Sequence, residues 1–166
     1  MPEKTALVLC TGNSARSILG EALFNRLGAG RVRASSAGSK PMGQVYPGAA
    51  RLLRREAYDL SPFRSKSWHE FTEPGAPPID IVMTVCGNAA GEACPVFPGR
   101  AVRVHWALPD PAAVTSGEAA EDAAFARTYD FLRNRIEAFL ALPFETMPDQ
   151  ELQAELNAIG ALEGAA

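Results

Sequence analysis

The chemistry in this chain is concentrated in Cys10-Thr11-Gly12-Asn13-Ser14-Ala15-Arg16-Ser17, which follows the apolar run Ala6 to Leu9. A cysteine opens the loop, and an arginine and a serine close it, in the form Cys-x5-Arg-Ser. An apolar strand, a turn containing glycine, an arginine and a helix start together describe an oxyanion cradle with a nucleophile at its base. The backbone N–H groups of Thr11, Gly12, Asn13, Ser14, Ala15 and Arg16 can converge on one tetrahedral anion, and the following helix adds its positive end. Arg16 can grip two oxygens with a bidentate fork. The same field favours a thiolate over a thiol, so Cys10 is expected to be ionised near neutral pH. The competing reading is a structural cysteine followed by an ordinary turn, which does not account for the arginine and the helix arriving together.

Three more residues could complete a site. Asp110 lies in Leu108-Pro109-Asp110-Pro111. Alone it fits a turn residue and a catalytic acid equally well. Beside a Cys-x5-Arg loop it reads as an acid that gives its proton to a leaving oxygen. Cys86 and Cys94 are eight positions apart, separated by the small residues Gly87 to Ala93. One cysteine is enough for phosphoryl transfer. Two more at the same rim point to thiol–disulfide exchange, against the reading of two inert buried thiols. The constellation fits phosphoryl or arsenyl transfer. Metal binding has little support, because His69 and His105 stand at no ligand-like spacing from these cysteines.

The elements that must position these residues are legible from periodicity. Ala6–Leu9 reads as a buried parallel strand, followed by a helix from Arg16 or Ser17 with Leu19, Leu23 and Leu27 on one stripe. Arg31–Ser36 is a second strand. Pro47 starts a second helix, on which Arg51, Arg54 and Arg55 read as a solvated face. Ser67 caps a short turn through Phe71. Ile79–Cys86 is the strongest strand, Val102–Trp106 a fourth, and Glu118–Leu142 a long helix. The fold class is α/β: a single-domain, doubly wound, four-stranded parallel sheet with helices on both faces and a phosphate loop after strand 1. Both Cys10 and Cys86 then fall at the carboxyl edge of the sheet, where open parallel sheets bind ligands. Residues 1–142 form the domain, and residues 143–166 a C-terminal extension with a short helix built on Leu152, Leu156 and Ile159.

Composition narrows the function further. The chain has 166 residues, 47% hydrophobic and 21% charged, enough for one ordinary core. A net charge of -3 gives no reason to expect nucleic acid or a membrane surface as partner. No apolar run approaches the roughly 18 residues of a membrane span. No secretory leader is visible, so the expected location is cytoplasmic, where thiols stay reduced. Three cysteines, an odd number, argue against a static disulfide framework.

The loop Cys10–Ser17 resembles the phosphate loop of low-molecular-weight protein tyrosine phosphatases and of the arsenate reductases that share their fold. Val85-Cys86-x7-Cys94-Pro95 and His105-Trp106-x3-Asp110-Pro111 resemble the thioredoxin-coupled arsenate reductase branch. The resemblance covers residues 5–142 and implies a thiol relay that turns arsenate into arsenite. In it Cys10 attacks arsenate, Arg16 holds it and Asp110 protonates the departing oxygen. Cys86 resolves the adduct and Cys94 carries the disulfide outward. No bound cofactor is implied, only an external dithiol such as thioredoxin. Ser17 matches a serine that hydrogen-bonds the thiolate, and Asn13 an asparagine that braces the loop. Phosphate should fit the same cradle.

The resemblance has departures. Ala15 replaces a second loop cysteine common in the phosphatases. Ala112-Ala113-Val114 follow Asp110-Pro111 where aromatics would grip a phenyl ring. The spacing between Cys86 and Cys94 is one residue longer than the pattern. Asn13, Glu21 and Ser36 match a potassium site, but its remaining acidic position falls at Ser65 or Lys66. The expectation is that the Lys66 ammonium replaces the ion beside Glu21. The alternatives to arsenate reduction are a low-molecular-weight phosphatase acting on protein phosphotyrosine, and a non-catalytic redox or oxyanion sensor.

Overall fold

A computed structural model describes residues 3–85 and 97–162. Cys86 and Cys94, and the expected end of the third strand, lie outside the described residues. Four strands form one parallel sheet in the order β2-β1-β3-β4: β1 Lys4–Leu9, β2 Val32–Ala37, β3 Ile81–Thr84 and β4 Val102–His105. The register pairs Leu9 with Ala37 on one side and with Thr84 on the other. The chain leaves β1 for β2 on one side, and β3 lies on the other. Strand order therefore switches at β1, and the loop after β1 opens at the crevice this creates.

Alternation along β1 divides the core in two. Ala6 and Val8 face a large cluster shared with the helices α1 (Arg16–Leu27), α2 (Pro47–Arg55), α3 (Glu118–Leu140) and α4 (Asp149–Gly160). Leu7 and Leu9 face a smaller cluster with Trp68, Ile79, Val82 and Phe97. Trp68 belongs to a short 3-10 helix, Trp68–Phe71, capped by the Ser67 hydroxyl, which accepts from the His69 N–H at 3.2 Å.

Two sequence expectations change. The stripe on α1 is in fact a fully enclosed segment: Ser17 to Phe24 are all buried. The helix is wedged between the sheet, α2 and α3, and comes so close to β1 that a Cβ on Gly20 would sit 3.1 Å from Val8 Cγ1. Arg51 is not on a solvated face. Its guanidinium meets Glu121 at 2.8 Å, Asp122 at 2.9 Å and Glu118 at 3.2 Å, pinning α2 to the first turn of α3.

The segment after Leu142 is built into the main core. Leu152, Leu156 and Ile159 are buried there, and the buried Trp106 donates its indole N–H to Leu156 O at 2.9 Å. Arg31, just ahead of β2, clamps the start of this segment. It takes Glu145 in a bidentate fork at 2.6 and 2.9 Å, donates to Leu140 O at 2.7 Å and lies over the Phe144 ring. This satisfies carbonyls at the end of α3 that the helix cannot pair itself. The hydrogen bonds from Arg31 hold the Glu145 carboxyl down to about 2. A depressed folded pKa means that the stabilisation is present above the ordinary value of 4.5 and is lost as pH falls through the folded one. Glu145→Gln should cost about 1 kcal/mol at pH 7, given solvent screening of the half-exposed guanidinium. It should also flatten the acid limb of a pH–stability curve between 4.5 and about 2, read by urea unfolding.

Candidate active site

The loop from Cys10 to Arg16 is held open by its own carbonyls pointing outward. Thr11 O accepts from Lys40 N at 3.0 Å, Gly12 O from Met42 N at 2.9 Å and Ser14 O from Tyr46 N at 2.9 Å. Ala15 O accepts from Leu19 N inside the first turn of α1. In a trans peptide the C=O and the next N–H point in opposite directions. The N–H groups of Gly12, Asn13, Ala15 and Arg16 are thereby turned to the inner side. The loop lines a cavity of about 300 Å³ together with Met42, Tyr46, Asp110 and Ala112. Buried Cys10 is at its base.

Asn13 supplies the brace. It is wholly buried and takes the left-handed φ of 44° that the tight turn requires, a conformation asparagine tolerates better than most residues. Its amide donates to Ser17 Oγ at 2.8 Å, and its carbonyl accepts from Lys66 N at 2.9 Å. As acceptor from Asn13, the Ser17 hydroxyl keeps its own proton for another acceptor. Behind the loop, Gly38 follows β2. A Cβ there would stand 2.4 Å from Thr11 O and 2.6 Å from Cys10 O, so only glycine lets the two backbones approach this closely.

Arg16 and Asp110 meet across the cavity mouth. Arg16 Nη1 donates to Leu108 O at 2.8 Å, and Nη2 is 3.8 Å from Asp110 Oδ2. Asp110 caps the short 3-10 helix Pro111–Ala113 by accepting from Ala112 N at 2.9 Å, which fixes its carboxyl towards the pocket. A cradle of inward N–H groups, a guanidinium and an aimed carboxyl can bind a tetrahedral oxyanion, stabilise charge on it and pass one proton.

Residues 5–158 match the model of the family described as low molecular weight phosphotyrosine protein phosphatase. The chain belongs to that family. The match runs past Leu142 and takes in most of α4. Among its relatives is an arsenate reductase of Halalkalibacterium halodurans, 33% identical over 84% of this chain and 96% of that one. A low molecular weight protein tyrosine phosphatase from T. tengcongensis superposes with a TM-score of 0.66 at 22% identity, over 84% of this chain and 99% of the other. A thioredoxin-dependent arsenate reductase of Corynebacterium glutamicum gives 0.56 at 23% identity, over 85% of this chain and 64% of that one. Both superpositions carry the family's α/β fold.

The structure brings Cys10, Thr11, Gly12, Asn13, Ser14, Ala15, Arg16 and Asp110 into one cavity and places Ser17 directly behind it. Glu21, Ser36 and Lys66 form a second buried cluster against Asn13. Ser36 Oγ donates to Glu21 Oε1 at 2.5 Å, and Lys66 Nζ lies 3.9 Å from that carboxyl. Burial pushes Glu21 above and Lys66 below their ordinary values, and each is partly offset by the other's charge. Sequence reasoning missed the pocket walls, Met42 and Tyr46. Tyr46 stacks on Phe125 and donates its hydroxyl to Glu121 at 2.8 Å, so the Arg51 cluster also sets this wall. The irregular stretch 40–46 offers no periodicity to reveal it. The one available signal is Pro47, which forces Tyr46 to a helix boundary. No described helix is long and apolar enough to cross a membrane.

Proposed function

We propose that this protein is a cytoplasmic arsenate reductase working through a three-cysteine relay. The observation that carries the reading is the cradle: four inward N–H groups, Arg16 and Asp110 around Cys10. The names of its curated relatives supply the direction of the chemistry. Arsenate binds to the N–H groups of the loop and to Arg16. The Cys10 thiolate forms a sulfur–arsenic bond, and an oxygen leaves as water on receiving the Asp110 proton. The Ser17 hydroxyl, oriented by Asn13, donates to the thiolate and holds it ionised. Cys86 then attacks the Cys10 sulfur. A disulfide forms, the sulfur–arsenic bond breaks and its electron pair leaves with arsenic as arsenite. Cys94 attacks Cys86, regenerates the Cys10 thiolate and presents Cys86–Cys94 to thioredoxin or a similar dithiol, which restores both thiols.

Arsenate-dependent NADPH oxidation, coupled through thioredoxin and its reductase, tests this. Cys10→Ser, Cys86→Ser and Cys94→Ser should each stop turnover. A single turnover of arsenite release should survive in Cys94→Ser alone, because that cysteine acts after release. Full multiple turnover in Cys94→Ser would refute the relay. A phosphatase would hydrolyse aryl phosphates with Cys86 and Cys94 both replaced.

The Lys66 ammonium, 3.9 Å from the Glu21 carboxyl, takes the place of a monovalent cation at the cluster of Glu21, Asn13 and Ser36, to which the Lys66 main-chain N–H also bonds through Asn13. A positive group is already in the cluster, so those residues do not fit a bound potassium ion. Exchanging sodium for potassium should leave both turnover and melting temperature unchanged. Lys66→Ala should destabilise by about 2 kcal/mol, because it strands a buried carboxyl. Strong potassium activation of the wild type would count against the assignment.

A further inference from the structure

Arg135 sits in the interior of α3 and is wholly buried. Its helix neighbours Leu132, Ile136 and Phe139 are core residues. Among the described residues no carboxylate pairs with it, and its Nε–H has no acceptor. Its two terminal nitrogens make long hydrogen bonds, Nη1 to Ala107 O at 3.3 Å and Nη2 to Leu162 O at 3.5 Å. A buried guanidinium with no counter-charge among the described residues is expensive, and a leucine or methionine would fill the space at less cost. Its only described partners are a carbonyl beyond the end of α4 and a carbonyl three residues before Asp110.

That second carbonyl is well placed to matter. Ala107 O and Leu108 N belong to one peptide unit. Arg135 holds the oxygen, while Val85 O accepts the N–H at 3.1 Å. The next carbonyl, Leu108 O, accepts from Arg16. Two guanidiniums, one from α3 and one from the cradle, thus grip consecutive carbonyls just ahead of Pro109-Asp110-Pro111. The two prolines limit how the chain can adjust afterwards.

We propose that Arg135 is a positioning residue for the Asp110 loop: by fixing the 107–108 peptide it sets where the Asp110 carboxyl meets an oxygen held by Arg16. This rests on the reading of Asp110 as the acid. The test compares Arg135→Met, Arg135→Lys, Asp110→Asn and the double variant Arg135→Met/Asp110→Asn. Amide hydrogen exchange should be roughly tenfold faster at Ala107, Leu108, Asp110 and Ala112 in Arg135→Met, and intermediate in Arg135→Lys, with the α1 amides unchanged. Arsenate turnover in Arg135→Met should fall about 10- to 100-fold in kcat, with KM within about twofold of wild type. Arg135→Met should add little to Asp110→Asn, because both act on one proton transfer. Multiplicative effects in the double variant, or faster exchange spread through α3 and α4, would reduce Arg135 to a core residue and overturn the proposal. If wild type shows no arsenate turnover, the functional reading fails and the exchange pattern still decides the positioning role. If Arg135→Met does not fold, the exchange pattern of Arg135→Lys decides, and loop protection equal to wild type refutes it.

Discussion

Arg16→Lys is expected to lower kcat/KM for arsenate by about a thousandfold while changing the melting temperature by only a few degrees. The argument is geometric. In the proposed mechanism Arg16, which donates to the Leu108 carbonyl at 2.8 Å, has to serve the oxyanion at the same time. A planar fork can give one nitrogen to each and still keep its charge over the anion. A lysine has one ammonium on a flexible stem. If it bonds Leu108 O it leaves the anion, and if it turns to the anion it releases the loop that carries Asp110. Loss of a preorganised donor to developing charge costs up to about 4 kcal/mol in the transition state, which is about the thousandfold stated. Steady-state kinetics should show the fall in kcat as well as in kcat/KM. A lysine variant within about fivefold of wild type would mean that Arg16 contributes only charge.

Gly38→Ala should damage both the fold and the cradle from outside the cradle itself. The added Cβ would lie 2.4 and 2.6 Å from two backbone oxygens, Thr11 O and Cys10 O, neither of which can rotate away. Relief requires shifting the end of β2, where Gly38 N also donates to Lys66 O at 2.9 Å, or shifting the cradle. Either should destabilise by about 2–4 kcal/mol. The part that falls on the cradle should appear as weakened binding of inorganic phosphate, measured by calorimetry on the folded fraction. Wild-type phosphate affinity in Gly38→Ala would show that β2 yields and the loop does not.

Much of this was legible in the residues because it is local. The Cys10–Arg16 loop announces itself through residue type and spacing, and the start of α1 at Arg16, of α2 at Pro47 and the Ser67 cap follow from backbone chemistry at single positions. What was not legible depends on partners far away in the chain. Arg51 looks solvated until Glu118, Glu121 and Asp122 arrive from α3. The helix of residues 149–160 looks like an appendage until its Leu156 carbonyl meets Trp106. The stripe on α1 understated its burial, because the sequence does not state how many elements will surround a helix. Met42 and Tyr46 became pocket walls through hydrogen bonds to Gly12 O and Ser14 O, which have no local pattern.

The chain's two tryptophans stand on opposite faces of the sheet. Trp106 is wholly enclosed, stacked near Phe24 and tied to α4, whereas Trp68 sits in the small cluster under the short 3-10 helix. Each side of the protein therefore carries its own natural fluorophore. With Trp106→Phe the remaining emission reports only the face of Leu7, Leu9 and Phe97, and with Trp68→Phe only the face of the four helices. Loosening of one layer without the other during unfolding is then visible as light from one indole, with no label attached.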